Sequence, residues 1–116
     1  MEDKNHFEVF AQLQHVCAHI IEHYAEDLTL DSISHQIGFS KYHFSRLFKA
    51  YTGETFYRYL NGIRMSTAQT MLAKPDSSVT NIAYSVGYSS MSSFIRMFKD
   101  FYGCTPSEYR HMMDNR

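Results

Sequence analysis

Several things are scarce in this sequence, and each scarcity removes a class of protein. Its 116 residues include only two cysteines, Cys17 and Cys104. Two thiols cannot build a disulfide framework, and such usage suits a reducing compartment. No stretch approaches the ~20 apolar residues that a membrane span needs. The start, MEDKNHFEVF, has no basic segment followed by an apolar run. No secretory leader is therefore read there, and a cytoplasmic location is expected. Clean period-2 runs bounded by turn residues are missing, so sheets are not expected. There are two prolines, Pro75 and Pro106, and both sit where helices should start or stop. No phosphate loop, GxGxxG, HExxH or nucleophile elbow occurs, so neither an enzyme nor a cofactor is expected. The net charge of -1 would also disfavour a nucleic-acid partner, because phosphate contacts need Lys and Arg.

What is present is apolar and helical. The apolar fraction of 44%, with nine Phe and nine Tyr, is enough for packed cores rather than disorder. Apolar residues recur at helical spacing. The chain also repeats itself. Residues 30–59 realign on residues 79–109, with identities at Ile33/Ile82, Gly38/Gly87, Ser40/Ser89, Phe44/Phe94, Arg46/Arg96, Phe48/Phe98, Lys49/Lys99, Gly53/Gly103, Thr55/Thr105 and Tyr59/Tyr109. The second copy carries one extra residue between its glycine and Phe94. Each copy reads as a short helix, a glycine turn, a second helix and a glycine stop, which describes a helix-turn-helix.

The local signals fill in the rest. Gly38 suits a left-handed turn, Ser40 can cap the following helix, and Gly53 can end it. A linker helix over about 55–73 is expected, capped by Thr55 and closed by Lys74-Pro75-Asp76. Its apolar side comprises Phe56, Leu60, Ile63 and Met71, with Ala68 and Leu72 beside them. After an arm over residues 1–6, an amphipathic helix over 7–26 gathers Val9, Phe10, Leu13, Val16, Cys17, Ile20, Ile21 and Tyr24 on one side. Thr105-Pro106-Ser107-Glu108 reads as a capping box opening a last helix. The sum is an all-α fold of seven helices. Lobe one covers about 7–53 and lobe two about 78–112.

The second helix of each copy holds the candidate chemistry. In copy one, Phe44, Leu47, Phe48 and Tyr51 must face the core. Lys41, Tyr42, Ser45, Arg46 and Lys49 are left outward, with three cations and no acid. Arg can fork onto guanine, Lys can take guanine or phosphate, and Tyr and Ser can bond bases or backbone oxygens. In copy two, Met91, Ser92, Ile95, Arg96 and Lys99 point outward, and Met91 and Ile95 could touch thymine methyls or a neighbouring protein. A solvated helix face is the bland alternative for either copy. The recurrence of Arg46/Arg96 and Lys49/Lys99 off the core faces weighs against it. A linker of about 18 residues spans roughly 27 Å. With the width of the lobes added, that suits two recognition helices about one DNA turn, roughly 34 Å, apart.

These residues carry a resemblance. GFSKYHFSRLFKAYTGETFYRYL, IRMSTAQTMLA and VTNIAYSVGYSSMSSFIRMFKDFYGCTPSEYR together resemble the DNA-binding domain of AraC/XylS-type bacterial transcription regulators. The second lobe is the most specific part, with Ile82-Ala83, Val86-Gly87-Tyr88, Phe94, Arg96, Phe98-Lys99, Gly103, Thr105-Pro106 and Tyr109-Arg110. The resemblance implies two helix-turn-helix lobes reading adjacent major grooves of double-stranded promoter DNA, with RNA polymerase as a partner and activation as the usual outcome; with the spacing above, a single chain could fill both grooves as a monomer. It maps base contacts to Tyr42, Ser45, Arg46, Ser92, Ile95 and Arg96, with Met91 beside them, and phosphate contacts to Lys41, Lys49 and Lys99. It matches Arg64 to a recurrent linker Arg, read as structural. Family members are often longer, so the chain is either a small stand-alone regulator or the C-terminal domain of a larger one.

Other signals carry less. His15, His19 and His23 at i, i+4, i+8 could hold a metal, but they share a polar face with Glu8, Glu22 and Glu26, and a solvated face is the expectation. His43 suits local packing or a phosphate. Cys17 should be an inert buried thiol, and Cys104 lies in a turn. The competing function is a helical protein-interaction module that kept the fold without DNA binding, with exposed Met91 and Ile95 as its cue. Charge decides against taking the net figure at face value. Residues 1–31 sum to -6 and residues 32–116 to +5. The acidic first helix is therefore expected to face away from DNA or towards a protein.

Overall fold

The computed structural model describes residues 2–114, with side chains from Phe7 onward. Seven α-helices follow in order: α1 (Glu2–His23), α2 (Leu30–Gln36), α3 (Lys41–Thr52), α4 (Phe56–Leu72), α5 (Val79–Ser85), α6 (Met91–Tyr102) and α7 (Pro106–Asp114). No strand occurs among the described residues. The chain divides into two compact units, one ending at Leu60 and the next beginning at Asn61.

The first helix departs from the sequence reading at its start. It begins at Glu2, so residues 2–6, expected as an arm, are helical. Residue 1 lies outside the described residues.

The first unit packs α1, α2, α3 and the start of α4 around Leu13, Val16, Ile20, Ile33, Phe44, Phe48, Phe56 and Leu60, all buried. Its ring cluster is edge-on: Phe44 and Phe48 both meet Phe56, and Phe48 meets Tyr59 with centroids 5.2 Å apart. Two residues of the expected α1 stripe lie outside this core. Phe10 and Ile21 are each 55% exposed. Phe10 still covers Tyr51 with its edge, at 5.2 Å between centroids. Cys17 is half-buried rather than buried. Burial pushes its thiol above the usual range, against a hydrogen bond with Tyr59 that pulls it down, and a raised thiol is a poor nucleophile.

The second unit repeats the plan with the rest of α4, α5, α6 and α7. Its core is Met65, Ala68, Leu72, Ile82, Ala83, Val86, Phe94, Phe98 and Pro106. Phe98 meets Tyr109 at 5.8 Å, the counterpart of Phe48 on Tyr59. The linker helix differs from the sequence reading in which residues it buries. Met65 and Arg64 are buried, whereas Ile63 and Met71 are only partly covered. The Arg64 guanidinium lies over the Tyr88 ring, 5.4 Å from its centroid, and the Tyr88 hydroxyl donates to Asn61 Oδ1. Burial raises the Tyr88 pKa, while the Arg64 charge and a hydrogen bond to Arg64 pull it down. Arg110 closes the end of α4 by donating from Nε to the Leu72 carbonyl, a group that a helix end otherwise leaves open, and from Nη2 to the Lys74 carbonyl just beyond it.

Caps fix where each helix starts. Ser40 and Ser78 accept from the amides of His43 and Asn81, and Thr55 accepts from that of Arg58. Thr29 and Ser32 form a reciprocal box ahead of α2. At α7 the Thr105 hydroxyl accepts from the Glu108 amide, and Glu108 Oε1 accepts from the Thr105 amide at 2.8 Å. That hydrogen bonding, first from the Thr105 backbone, holds the Glu108 carboxyl below its usual range. The Ser40/Ser89 match of the sequence does not carry over to function, because α6 is capped by Ser90. Gly53 and Gly103 adopt left-handed φ of 84° and 74° at the two helix stops, a conformation that only glycine adopts freely.

Candidate nucleic-acid interface

The two helix-turn-helix motifs share their turn chemistry. In the first, the Gly38 amide donates to His35 and the Phe39 amide to Ser34. In the second, the Gly87 amide donates to Tyr84 and the Tyr88 amide to Ala83. These bonds close the last turn of α2 and of α5 in the same way. Buried anchors at the next helix then fix its rotation: Phe44 and Phe48 in α3, Phe94 and Phe98 in α6. With those four rings inward, the intervening residues have one direction left.

On α3 that direction presents Lys41, Tyr42, Arg46 and Lys49 exposed, with Ser45 half-covered. Tyr42 is 78% exposed, far more than packing would leave it. No acid lies in the first turn of α3. Ser45, Arg46, Lys49, Ala50, Thr55 and Phe56 line an open groove of about 400 Å³. On α6, Ser92, Arg96 and Lys99 are exposed, Ile95 is 37% exposed, and Met91 is half-buried. The α3 set shares one face in the first unit, and the α6 set shares one in the second.

Sequence reasoning missed one participant. Lys41 Nζ lies 3.4 Å from Asp31 Oδ1, so Lys41 has a partner on α2 in the protein itself. The signal was available, since Asp31 is the only acid in the first helix of copy one. A charge sum over residues 1–31 hides it among the acids of the first helix. The candidate histidines sit elsewhere. The His19 and His23 rings stack 4.4 Å apart, and His23 bonds the Glu26 carboxylate. Among the described residues no three His, Cys, Asp or Glu converge as metal ligands. The His43 ring meets the edge of Phe39 at 4.9 Å, which is local packing.

The family model described as "Helix-turn-helix domain" matches residues 33–112. Among solved structures, the C-terminal domain of AraT, a response regulator from Geobacillus stearothermophilus, superposes with a TM-score of 0.82 at 30% identity, covering 87% of this chain and 84% of that one. The chain belongs to the AraC-type helix-turn-helix family. That family is one of DNA-binding transcription regulators, not of enzymes. A second AraC-type neighbour, the DNA-binding domain of AdpA solved in complex with a target DNA, has a TM-score of 0.80 at 28% identity, covering 86% of this chain and 90% of that one. An uncharacterized HTH-type transcriptional regulator of Staphylococcus aureus strain COL is 38% identical over 99 residues, 85% of this chain but 13% of its own length. The regulatory protein PocR of Salmonella typhimurium is 33% identical over 104 residues, 90% of this chain and 34% of its own length. The chain thus spans a small part of these relatives. Among the described residues no helix is long and apolar enough to cross a membrane.

Proposed function

We propose that this AraC-type chain is the DNA-binding part of a bacterial transcription regulator. It reads a specific duplex through α3 and α6, each entering one of two successive major grooves. One observation carries the reading: two helices held by equivalent buried rings expose Arg and Lys at equivalent positions, Arg46/Arg96 and Lys49/Lys99. A core requirement explains neither pair. Tyr42, Ser45 and Arg46 in lobe one, and Ser92, Ile95 and Arg96 in lobe two, with Met91 beside them, are the base-reading side chains. Lys41, Lys49 and Lys99 take phosphates. The functional division is lobe one over about 7–53, a linker over about 55–73 and lobe two over about 78–112.

The reading extends to binding as a monomer, since one chain carries both recognition helices, to a cytoplasmic location, and to activation through RNA polymerase, which the family resemblance implies. The interaction-module alternative is not favoured, since Met91 is half-buried and Ile95 only 37% exposed.

The test is a selection from a random duplex library, followed by anisotropy titration of the enriched site with salt varied. Affinity should fall steeply as salt rises. A folded Arg46→Ala/Arg96→Ala double variant with undiminished affinity for that site would refute the proposal.

A further inference from the structure

We infer that Asp31 is an internal counter-ion that limits the grip of the first lobe on the DNA backbone, by holding Lys41 in the unbound protein. The inference rests on the DNA-binding reading above. Lys41 opens α3 and Asp31 is the second residue of α2, so their 3.4 Å contact ties together the starts of both helices of the motif. Folding does not require the pair. The side chains are 48% and 75% exposed, and ion pairs so exposed contribute little to stability. Lys41 itself stands at the wrong end of a helix dipole for a cation, and α3 has no acid of its own in its first turn. The carboxylate across the turn is what neutralises it there.

The internal repeat supplies the control. Where α2 has Asp31 as its second residue, α5 has Thr80. Where α3 opens with Lys41, α6 opens with Met91. Both members of the pair are replaced together by uncharged residues. The other matched cations of the two faces, Arg46/Arg96 and Lys49/Lys99, are kept. Lys41 and Asp31 therefore behave as one unit, present in lobe one and absent from lobe two.

The unit has a definite electrostatic consequence. An ammonium 3.4 Å from a carboxylate that reaches a phosphate oxygen brings that oxygen within about 6 Å of Asp31. Repulsion between unit charges at that range in water corresponds to about threefold in affinity, less as salt screens it. Asp31 touches no base, so this penalty is equal on all sequences. It lowers backbone affinity while leaving the base contacts of Arg46 alone, and so raises the share of binding that depends on sequence.

The experiment is anisotropy titration of a labelled mixed-sequence duplex of about 30 base pairs at a series of salt concentrations. The chains compared are wild type, Asp31→Asn, Asp31→Thr, Lys41→Met and the double variant Asp31→Thr/Lys41→Met, each first checked for helical circular dichroism. Both Asp31 variants should bind about threefold tighter at low salt, with the gap closing as salt rises. The gain from Asp31→Thr should shrink on the Lys41→Met background. Unchanged or weaker binding by both folded Asp31 variants, beside normal wild-type binding, overturns this inference alone. A gain undiminished by Lys41→Met also overturns it, since Asp31 would then not act through Lys41. Wild-type protein that binds neither this duplex nor any selected one overturns the DNA-binding reading itself.

Discussion

Lys49 and Arg46 lie one turn apart on the exposed side of α3, yet their removal should be felt differently. A Lys that neutralises one phosphate adds about 0.9 to the slope of log affinity against log salt. Referred to ~1 M salt, where such a contact counts for nothing, that slope makes the contact worth about eightfold at ~0.1 M and about fourfold at ~0.2 M. Lys49→Met should therefore lose those factors on every duplex, cognate or scrambled, and flatten the salt slope by about 0.9. Arg46→Ala should instead lose about 1–3 kcal/mol on the cognate site alone, with much less change on scrambled DNA. Neither loss comes from unfolding. Lys49 sits in the last turn of α3, where its charge favours the helix by only about 0.3–1 kcal/mol. The assay is anisotropy on matched cognate and scrambled duplexes at several salt concentrations, with circular dichroism as the folding control. Equal losses on both duplexes for Arg46→Ala would refute its role in reading bases. An unchanged salt slope for Lys49→Met would refute its role on phosphate.

Three further outcomes follow from the packing and from the groups whose ionisation the fold shifts. Phe98→Ala should cost about 3–5 kcal/mol by urea unfolding, because the ring is fully buried against Phe94, Tyr102 and Tyr109; a cost below about 1 kcal/mol would contradict that packing. Tyr59, pushed up to about 12 first by burial and then by its bond to Cys17, should ionise in the late part of an ultraviolet titration of the tyrosines, where Tyr88 and Tyr102 are also delayed by burial, and Tyr59→Phe should shrink that late part by one tyrosine. A pKa raised on folding means stability held below the ordinary tyrosine value near 10 and lost towards about 12, so the same variant should flatten the alkaline limb of stability. Glu108 is depressed by its hydrogen bonds to Thr105, so its contribution is present above the ordinary carboxylate value and lost as pH falls below it. Thermal melts across the acidic range should show a shallower fall for Glu108→Gln, and parallel curves would refute the link.

The parts of the fold legible in the sequence were those set by local chemistry. Glycine stops, serine and threonine caps and the capping box at Thr105 depend on residues within a few positions of one another. The repeat then doubled the weight of each. The wheel for α1 erred at Phe10 and Ile21 because a wheel assumes that a whole stripe finds cover. Only Leu13, Val16 and Ile20 of it are fully buried. Arg64 was matched to a structural position, but its depth depends on Tyr88, a ring 24 residues away that accepts a cation. The candidate face was legible because four rings at helical spacing leave its residues nowhere else to go. Asp31 was not, because an ion pair between exposed side chains leaves no periodicity behind.

The extra residue in the second copy sits where a repeat can tolerate a difference in length. Gly38 and the cap at Ser40 have one residue between them, while Gly87 and the cap at Ser90 have two. The length changed in the turn and not in a helix. An insertion between Arg96 and Phe98 would swing everything after it by roughly 100° about the helix axis, carrying Phe98 out of the core and Lys99 out of line with Arg96. Placed in the turn, it leaves the phase of α6 untouched, with Phe94 and Phe98 buried as Phe44 and Phe48 are in α3. The two halves thus share the bonds that close the first helix of each motif and differ in the length of chain that leads into the second. A chimera that transplants one recognition helix into the other lobe must bring its own turn with it.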